Sequence, residues 1–434
     1  MRFLLVCALL AAAGAGVVFW REPPGPPDEI AYGPGPARPS SPVARFSLTK
    51  EDATLDRERP SVAASPDGTV LVACNSRAGT DSNAILVCVS RDRGATFSAP
   101  RPIRSVPVHR HMARMGGQDR LMESQPLPRL AWAAGKFHLA WCEPAEAGGG
   151  RLLACSTTDG ESFSEPVAMH GPEVRKVHYT ALCAGGDGRL LAAWLDNRGQ
   201  GQQPFASTGG VSALVDAGTG GKGICPCCDL DTLITSSGDE VVAYRHSVDG
   251  NRDIHLAWRP RGEETFRKGG PVSGRHWKFQ ACPHDGPSIA EAGGQVVAAW
   301  MDAAEQKRRA FTATGTMSTL PWHAEPLPLL RGGEQSQPRL AATGGTVAAV
   351  WLESFVENEA RGTLVAASFR HPGAKGWTEP MVVSTDPTGV PTRPSVCLEP
   401  LGGLVVAWFE QQPEGRSLVV ARVKPPAGGC CRGD

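Results

Sequence analysis

The chain is 434 residues long, with 44 basic and 44 acidic side chains and 41% hydrophobic residues. Balanced charge leaves no basic footprint for nucleic acid or for an anionic membrane surface, and the apolar content excludes disorder by composition. With 51 Gly and 37 Pro and few helix-forming runs, the composition predicts many short strands joined by turns, not a bundle, a coiled coil or a polytopic membrane protein.

At the N-terminus, Arg2 precedes the uncharged run Phe3 to Trp20, and Arg21 follows. Residues 1–21 read either as a signal peptide cleaved after Ala13 or Ala15, or as a retained anchor, since about 18 apolar residues just suffice to span a bilayer. Either way the chain is expected to be exported, periplasmic or extracellular, and to meet a membrane only through residues 3–20. Residues 22–40 carry Pro-Pro-Gly-Pro-Pro and Gly-Pro-Gly-Pro clusters and read as an extended stalk. The folded region is expected over 41–424, and 425–434 as a flexible tail with Cys430 and Cys431.

Within this region a short strand recurs: Arg59-Pro60-Ser61-Val62, Leu127-Pro128-Arg129-Leu130, Tyr179-Thr180-Ala181-Leu182, Leu230-Asp231-Thr232-Leu233, Gly286-Pro287-Ser288-Ile289, Gln337-Pro338-Arg339-Leu340 and Arg393-Pro394-Ser395-Val396. The step is roughly 56 residues. A glycine turn follows each copy. Then comes an apolar strand that often ends in Trp-x-acid, as in Trp141-Cys142-Glu143, Trp194-Leu195-Asp196, Trp300-Met301-Asp302, Trp351-Leu352-Glu353 and Trp408-Phe409-Glu410. Two further strands complete each unit. Four short strands repeated seven times predict an all-β fold, a seven-bladed β-propeller in one domain. Six blades remain open if the weak third repeat is miscounted. The seventh repeat has only three strands, and Ser41-Pro42-Val43-Ala44 resembles a fourth, so the N-terminal strand is expected to close the ring.

Between the third and fourth strands of the first repeat, Ser90-Arg91-Asp92-Arg93-Gly94-Ala95-Thr96-Phe97 matches the Asp box. A worn copy follows at Ser156-Thr157-Thr158-Asp159-Gly160-Glu161-Ser162-Phe163, its acid displaced by one when the two are aligned on their serines. On these motifs and the repeat, the chain resembles the sialidase-like, or BNR-repeat, propellers over nearly all of 41–424. The resemblance implies a structural role for Asp92, tying a turn backbone while the aromatic packs between sheets.

The resemblance also supplies a test for sialidase chemistry, which needs three arginines for the substrate carboxylate, a tyrosine nucleophile and an acidic partner. The family's first arginine falls on Glu58, and Arg59 is shifted by one residue, which in a strand turns it to the other face. The chain has only Tyr32, Tyr179 and Tyr244, and neither folded one lies late in the chain, where the family keeps its nucleophile. Loss of sialidase catalysis is therefore expected.

Two lead-in segments carry an unusual residue set: Gly223-Ile224-Cys225-Pro226-Cys227-Cys228-Asp229 before blade 4, and Cys282-Pro283-His284-Asp285-Gly286 before blade 5. Adjacent blades should place them side by side at the channel mouth. Thiolate and imidazole together suit copper(I) or zinc, making Cys225, Cys227, Cys228, Cys282 and His284 candidate metal ligands. The competing reading is disulfides, since the cysteines other than Cys7 are even in number in an exported chain, and no cofactor is then expected. Cys282 would bridge Cys227 or Cys228, and Cys74 with Cys88 and Cys142 with Cys155 would bridge neighbouring strands. The motif pair resembles exported bacterial sialidase-like proteins, which supplies fold rather than chemistry.

His178 opens the neighbouring blade 3 strand. His109, His111, Met112 and Met115 lie in an insertion over about 104–124, long enough for a lid. Arg59, His178 and Arg393 are candidate ligand-binding residues, for a small anion or a glycan. Glu58, Asp229 and Asp285 are the weaker catalytic candidates. Three functions stay open: a binding module for a metal, small molecule or glycan; a glycoside hydrolase of exo-sialidase type; or a protein-interaction scaffold with an unidentified partner.

Overall fold

Middle strands of the repeat read as continuous apolar runs because both their faces are covered. Val70–Arg77 is buried along its whole length. Leu71 and Ala73 pack with Phe137, Leu139 and Trp141 of the next blade, whereas Val70, Val72 and Cys74 pack with Val405, Ala407 and Phe409 of the last. Each sheet is thus one wall of two cores, as radial stacking demands.

The computed structural model describes residues 43–48, 58–115, 118–144, 149–172, 177–198, 201–357, 359–384, 389–413 and 415–426. The expected leader or anchor, the expected stalk and Cys430–Cys431 lie outside the described residues. Among those described, no helix is long and apolar enough to cross a membrane.

Seven four-stranded antiparallel sheets form, with one separate two-stranded hairpin. Blade 1 comprises Ser61–Ala64, Val70–Arg77, Ser82–Ser90 and Arg101–Pro107. The first strands of the next six blades are Arg129–Ala133, His178–Ala184, Asp231–Ile234, Ser288–Ala292, Glu334–Thr343 and Val390–Leu398. Each first strand touches those of the blades on either side, and the seventh touches the first. The fold is therefore a closed seven-bladed β-propeller, as the repeat predicts, with first strands lining the channel.

Ala44–Ser47 completes blade 7 as its outermost strand, antiparallel to Gly415–Val423 with Ala44 opposite Val420 and Ser47 opposite Ser417. Inner strands of neighbouring blades are also joined by side chains accepting from backbone. Ser61 Oγ accepts from Leu130 N at 2.9 Å, Asp231 Oδ2 from Ile289 N at 2.9 Å, and Ser288 Oγ from Leu340 N at 3.1 Å.

The recurring Trp-x-acid ending is a hydrogen-bonded unit. Two residues along a strand bring the indole and the carboxylate to one face. Trp141 Nε1 donates to Glu143 at 3.1 Å, Trp300 to Asp302 at 3.1 Å, Trp351 to Glu353 at 3.3 Å and Trp408 to Glu410 at 3.0 Å. Most of these buried acids also hold an arginine: Arg151 on Glu143, Arg275 on Asp302 and Arg45 on Glu410.

The Asp box is a turn. Ser90 Oγ bonds Asp92 at 2.8 Å and accepts from Gly94 N at 2.8 Å, while Asp92 accepts from Thr96 N at 2.9 Å. In the second copy Thr157 takes the place of Ser90, bonding Asp159 at 2.9 Å. The hydroxyl-to-acid spacing is therefore intact, and the missing residue lies between acid and glycine.

Register corrects one of the two expected cross-strand bridges, Cys142 with Cys155. Cys155 stands opposite Leu139, three residues from Cys142, so the two cysteines face opposite sides of blade 2 and enter different cores. Cys88 stands opposite Val72, diagonal to Cys74 on the same face of blade 1. The thiols of Cys88, Cys142, Cys155, Cys225, Cys227, Cys228 and Cys282 are free.

Candidate metal centre and channel mouth

Antiparallel blades put every blade-to-blade connection on the face where the inner strands begin, and the Asp boxes on the opposite face. On the first face the inner strands enter through strained backbone. Leu127, Tyr179, Gln337 and Arg393, at one repeat position, have φ of 49, 51, 53 and 54°. In blades 3, 6 and 7 the strand register shifts just there. Such bulges re-aim side chains and are held only where surrounding contacts over-determine them.

The two cysteine segments meet as expected. Gly286 permits it, since a Cβ there would lie 2.3 Å from the Asp229 carbonyl oxygen. Cys225 N donates to Arg245 O at 3.2 Å, and the buried Arg245 side chain donates through Nε to Asp285 O at 2.8 Å. That arginine staples one lead-in to the other. Cys225 Sγ lies 3.5 Å from Cys227 Sγ and 3.7 Å from Cys228 Sγ. Cys227, Cys282 and His284 bring one ligand atom each within 4.8 Å of one another. Sulfurs on a tetrahedral zinc, bound at about 2.3 Å, stand about 3.8 Å apart, whereas a disulfide is about 2.05 Å long. The cluster has ligand spacing. Hydrogen bonds from Cys227, Cys228 and Cys282 hold the Cys225 thiol far below its ordinary range, while burial pushes the Cys228 thiol up.

Beside the cluster the channel mouth holds a buried ionic network. Asp229 Oδ2 lies 3.2 Å from both Arg59 Nη1 and Arg339 Nη2. Burial opposes its ionisation, but Arg59, Arg339, Arg129 and Arg393 outweigh burial and hold its carboxyl at about 2. Arg59 thus faces the channel, contrary to the strand-alternation argument. It precedes the strand at Ser61, so pleat parity does not govern it. Asp285 Oδ2 accepts from Gln337 N at 2.7 Å, Gln337 Oε1 from Arg393 N at 2.8 Å, and Arg393 Nη1 donates to His284 O at 3.3 Å. Burial raises the Asp285 carboxyl despite Arg245. Glu58 Oε1 accepts from Leu127 N at 3.2 Å, and burial, opposed by Arg416 and Arg129, lifts its pKa to about 7. One oxygen each of Glu58, Asp229 and Asp285 is buried without a hydrogen-bond partner. His178 is half-buried at the start of blade 3.

Sequence reasoning missed Arg129 and Arg339. Their signal was available: they follow the proline in repeats 2 and 6, where the others carry Ser61, Ala181, Thr232, Ser288 and Ser395.

The insertion between blades 1 and 2 is a hairpin, His109–Met115 paired with Gln118–Ser124, on the same face as the cysteines. Arg77 and Arg110 both bind Glu123, and Arg110 also binds Asp81 at 2.6 Å, fixing it to blade 1. Met112 is exposed; the side chains of His109, His111 and Met115 lie outside the described residues.

Tyr244 OH donates to Asp216 at 2.7 Å inside the seam between blades 3 and 4, where burial raises its pKa well above the ordinary value. Tyr32 lies outside the described residues.

No family model matches the sequence, and no curated protein does. Solved structures share the fold. A protein of unknown function from Dyadobacter fermentans is 14% identical with a TM-score of 0.48, over 88% of this chain and 99% of that one. A Penicillium chrysogenum α-L-arabinanase bound to arabinobiose is 12% identical with a TM-score of 0.47, over 89% and 98%. A K499G mutant of the NanB sialidase of Streptococcus pneumoniae is 11% identical with a TM-score of 0.45, over 87% and 70%. The likeness is one of fold.

Proposed function

We propose that the protein is an exported propeller that binds a soft metal, copper(I) or zinc, at its channel mouth, and that it does not hydrolyse sialosides. The observation that carries this is the convergence of four cysteine sulfurs and His284 from the lead-ins of two adjacent blades. Deprotonated thiols bind such ions strongly, and a bound ion keeps cysteines from pairing in an oxidising compartment. Cys225, Cys227, Cys228, Cys282 and His284 hold the metal; Arg245, Gly286 and the Asp229 network position them.

The test is anaerobic reconstitution of the purified chain, with metal counted by elemental mass spectrometry. Retention of copper or zinc, lost on Cys228→Ser but not on Asp92→Ala, supports the reading. A chain that takes up neither metal, with these cysteines recovered as disulfides, overturns it.

A second reading rests on the three mouth carboxyls, Glu58, Asp229 and Asp285, each with one buried oxygen lacking a hydrogen-bond partner among the described residues, of which burial raises Glu58 while the arginines lower Asp229. That split is the arrangement a glycoside hydrolase uses for acid and base. Hydrolysis of an aryl glycoside, abolished by Glu58→Gln, would establish it.

A further inference from the structure

Resting on the metal reading above, we propose that the cluster is a two-ion centre: two copper(I) ions bridged by the thiolate of Cys227.

The donors fall into two triangles, Cys225–Cys227–Cys228 and Cys227–Cys282–His284. In each, the ligand atoms lie within 4.8 Å of one another, and Cys227 belongs to both. Donor number then chooses the metal. One tetrahedral zinc takes four ligands and leaves a fifth donor idle, while two zinc ions sharing one thiolate need seven. Two three-coordinate copper(I) ions sharing one thiolate need five, the number present. Copper(I) is also, with zinc, among the ions that thiolates select.

The surroundings divide the same way. Arg245 acts on Cys228 and Arg252 on Cys282, so a guanidinium stands by each triangle to offset the charge of its thiolates. The first triangle is wholly buried, whereas Cys282 and His284 are partly exposed. The outer ion is therefore reached from solvent and the inner one sits behind it. Loading is a ligand exchange without electron transfer: each cysteine still carrying its proton gives it up to buffer as its copper–sulfur bond forms, Cys225 enters as the thiolate, and the His284 imidazole is the fifth donor. The arrangement makes the outer ion exchangeable and the inner one retained.

Copper(I) titrated anaerobically into the full-length chain against a chromophoric chelator tests this, with X-ray absorption on the loaded protein. The expected result is two copper ions per chain with a copper–copper scattering vector. Cys282→Ser and, with every thiol kept, His284→Gln should each hold one copper and lose that vector; Cys227→Ser should lose it too. One copper or one zinc per chain at saturation overturns the two-ion centre and leaves the metal reading standing. No metal at all overturns both. Unchanged circular dichroism in His284→Gln separates a lost ligand from a lost fold.

Discussion

Glu58 is a carboxyl held near its point of ionisation. Its folded pKa of about 7 lies above the ordinary 4.5, so between those values the folded chain binds the proton that the unfolded chain has released. The stability it contributes is complete below pH 4.5 and is lost as pH rises through 7, a difference of about 3 kcal/mol. Urea unfolding at pH 5 and pH 8 should show that fall, and Glu58→Gln should remove most of it. A residual slope of the same sign should come from Asp285, which burial also raises. Asp229 works in a separate window: its pKa is depressed, so its contribution is present above the unfolded value of 3.8 and fails only as pH drops through about 2. Its neutral variant should be costly at every working pH. Asp229→Asn leaves Arg59 and Arg339 buried without their carboxylate, and breaking such a pair costs about 3–5 kcal/mol, measurable by the same unfolding experiment at pH 7.

At the scale of strands and turns, the devices repeat because the blade repeats. Asp92→Ala removes the turn's bonds to Thr96 and Ser90, and should cost about 1 kcal/mol while leaving metal uptake untouched, because the turn lies on the opposite face. The closing strand matters more. Without Ala44–Ser47, Gly415–Val423 becomes an unpaired edge and Glu410 loses Arg45. A chain starting at Thr49 should therefore aggregate where one starting at Ser41 stays monomeric, as read by light scattering. Much of this was legible in advance. The 56-residue step, the missing strand of the last repeat and the Asp box each leave a local pattern. Cross-blade meetings leave less: blade adjacency brought the two cysteine lead-ins together and the arginines after the repeat proline stood out, but that Arg59 and Arg339 converge on Asp229 depends on the bulges at Gln337 and Arg393. The Cys142–Cys155 bridge failed for a related reason, since nearness in sequence across a hairpin says nothing about which face each residue takes.

For the whole molecule, the metal would add a coordinate link between blades that already share packing, side-chain bonds and the backbone bond from Trp322 N to Val272 O at 2.7 Å. An ion held between the lead-ins of blades 4 and 5 favours the closed ring over any opened form. At a free concentration a hundredfold above the dissociation constant the gain is about 2.7 kcal/mol. Copper(I) should raise the melting temperature of the intact chain and should leave that of Cys227→Ser nearly unchanged, as scanning calorimetry would show.

Ring closure also imposes an order in time. Arg45 and its partner Glu410 are separated by 365 positions. At a synthesis rate of about 5–20 residues per second, the first strand waits roughly 20–70 seconds before its neighbour exists. Through that interval the other six blades can stack, but the last has no outer edge and the ring has no seal. A strand kept waiting that long is equally available to the unfinished blade of a second copy, so crowded nascent chains are where exchanged dimers would arise.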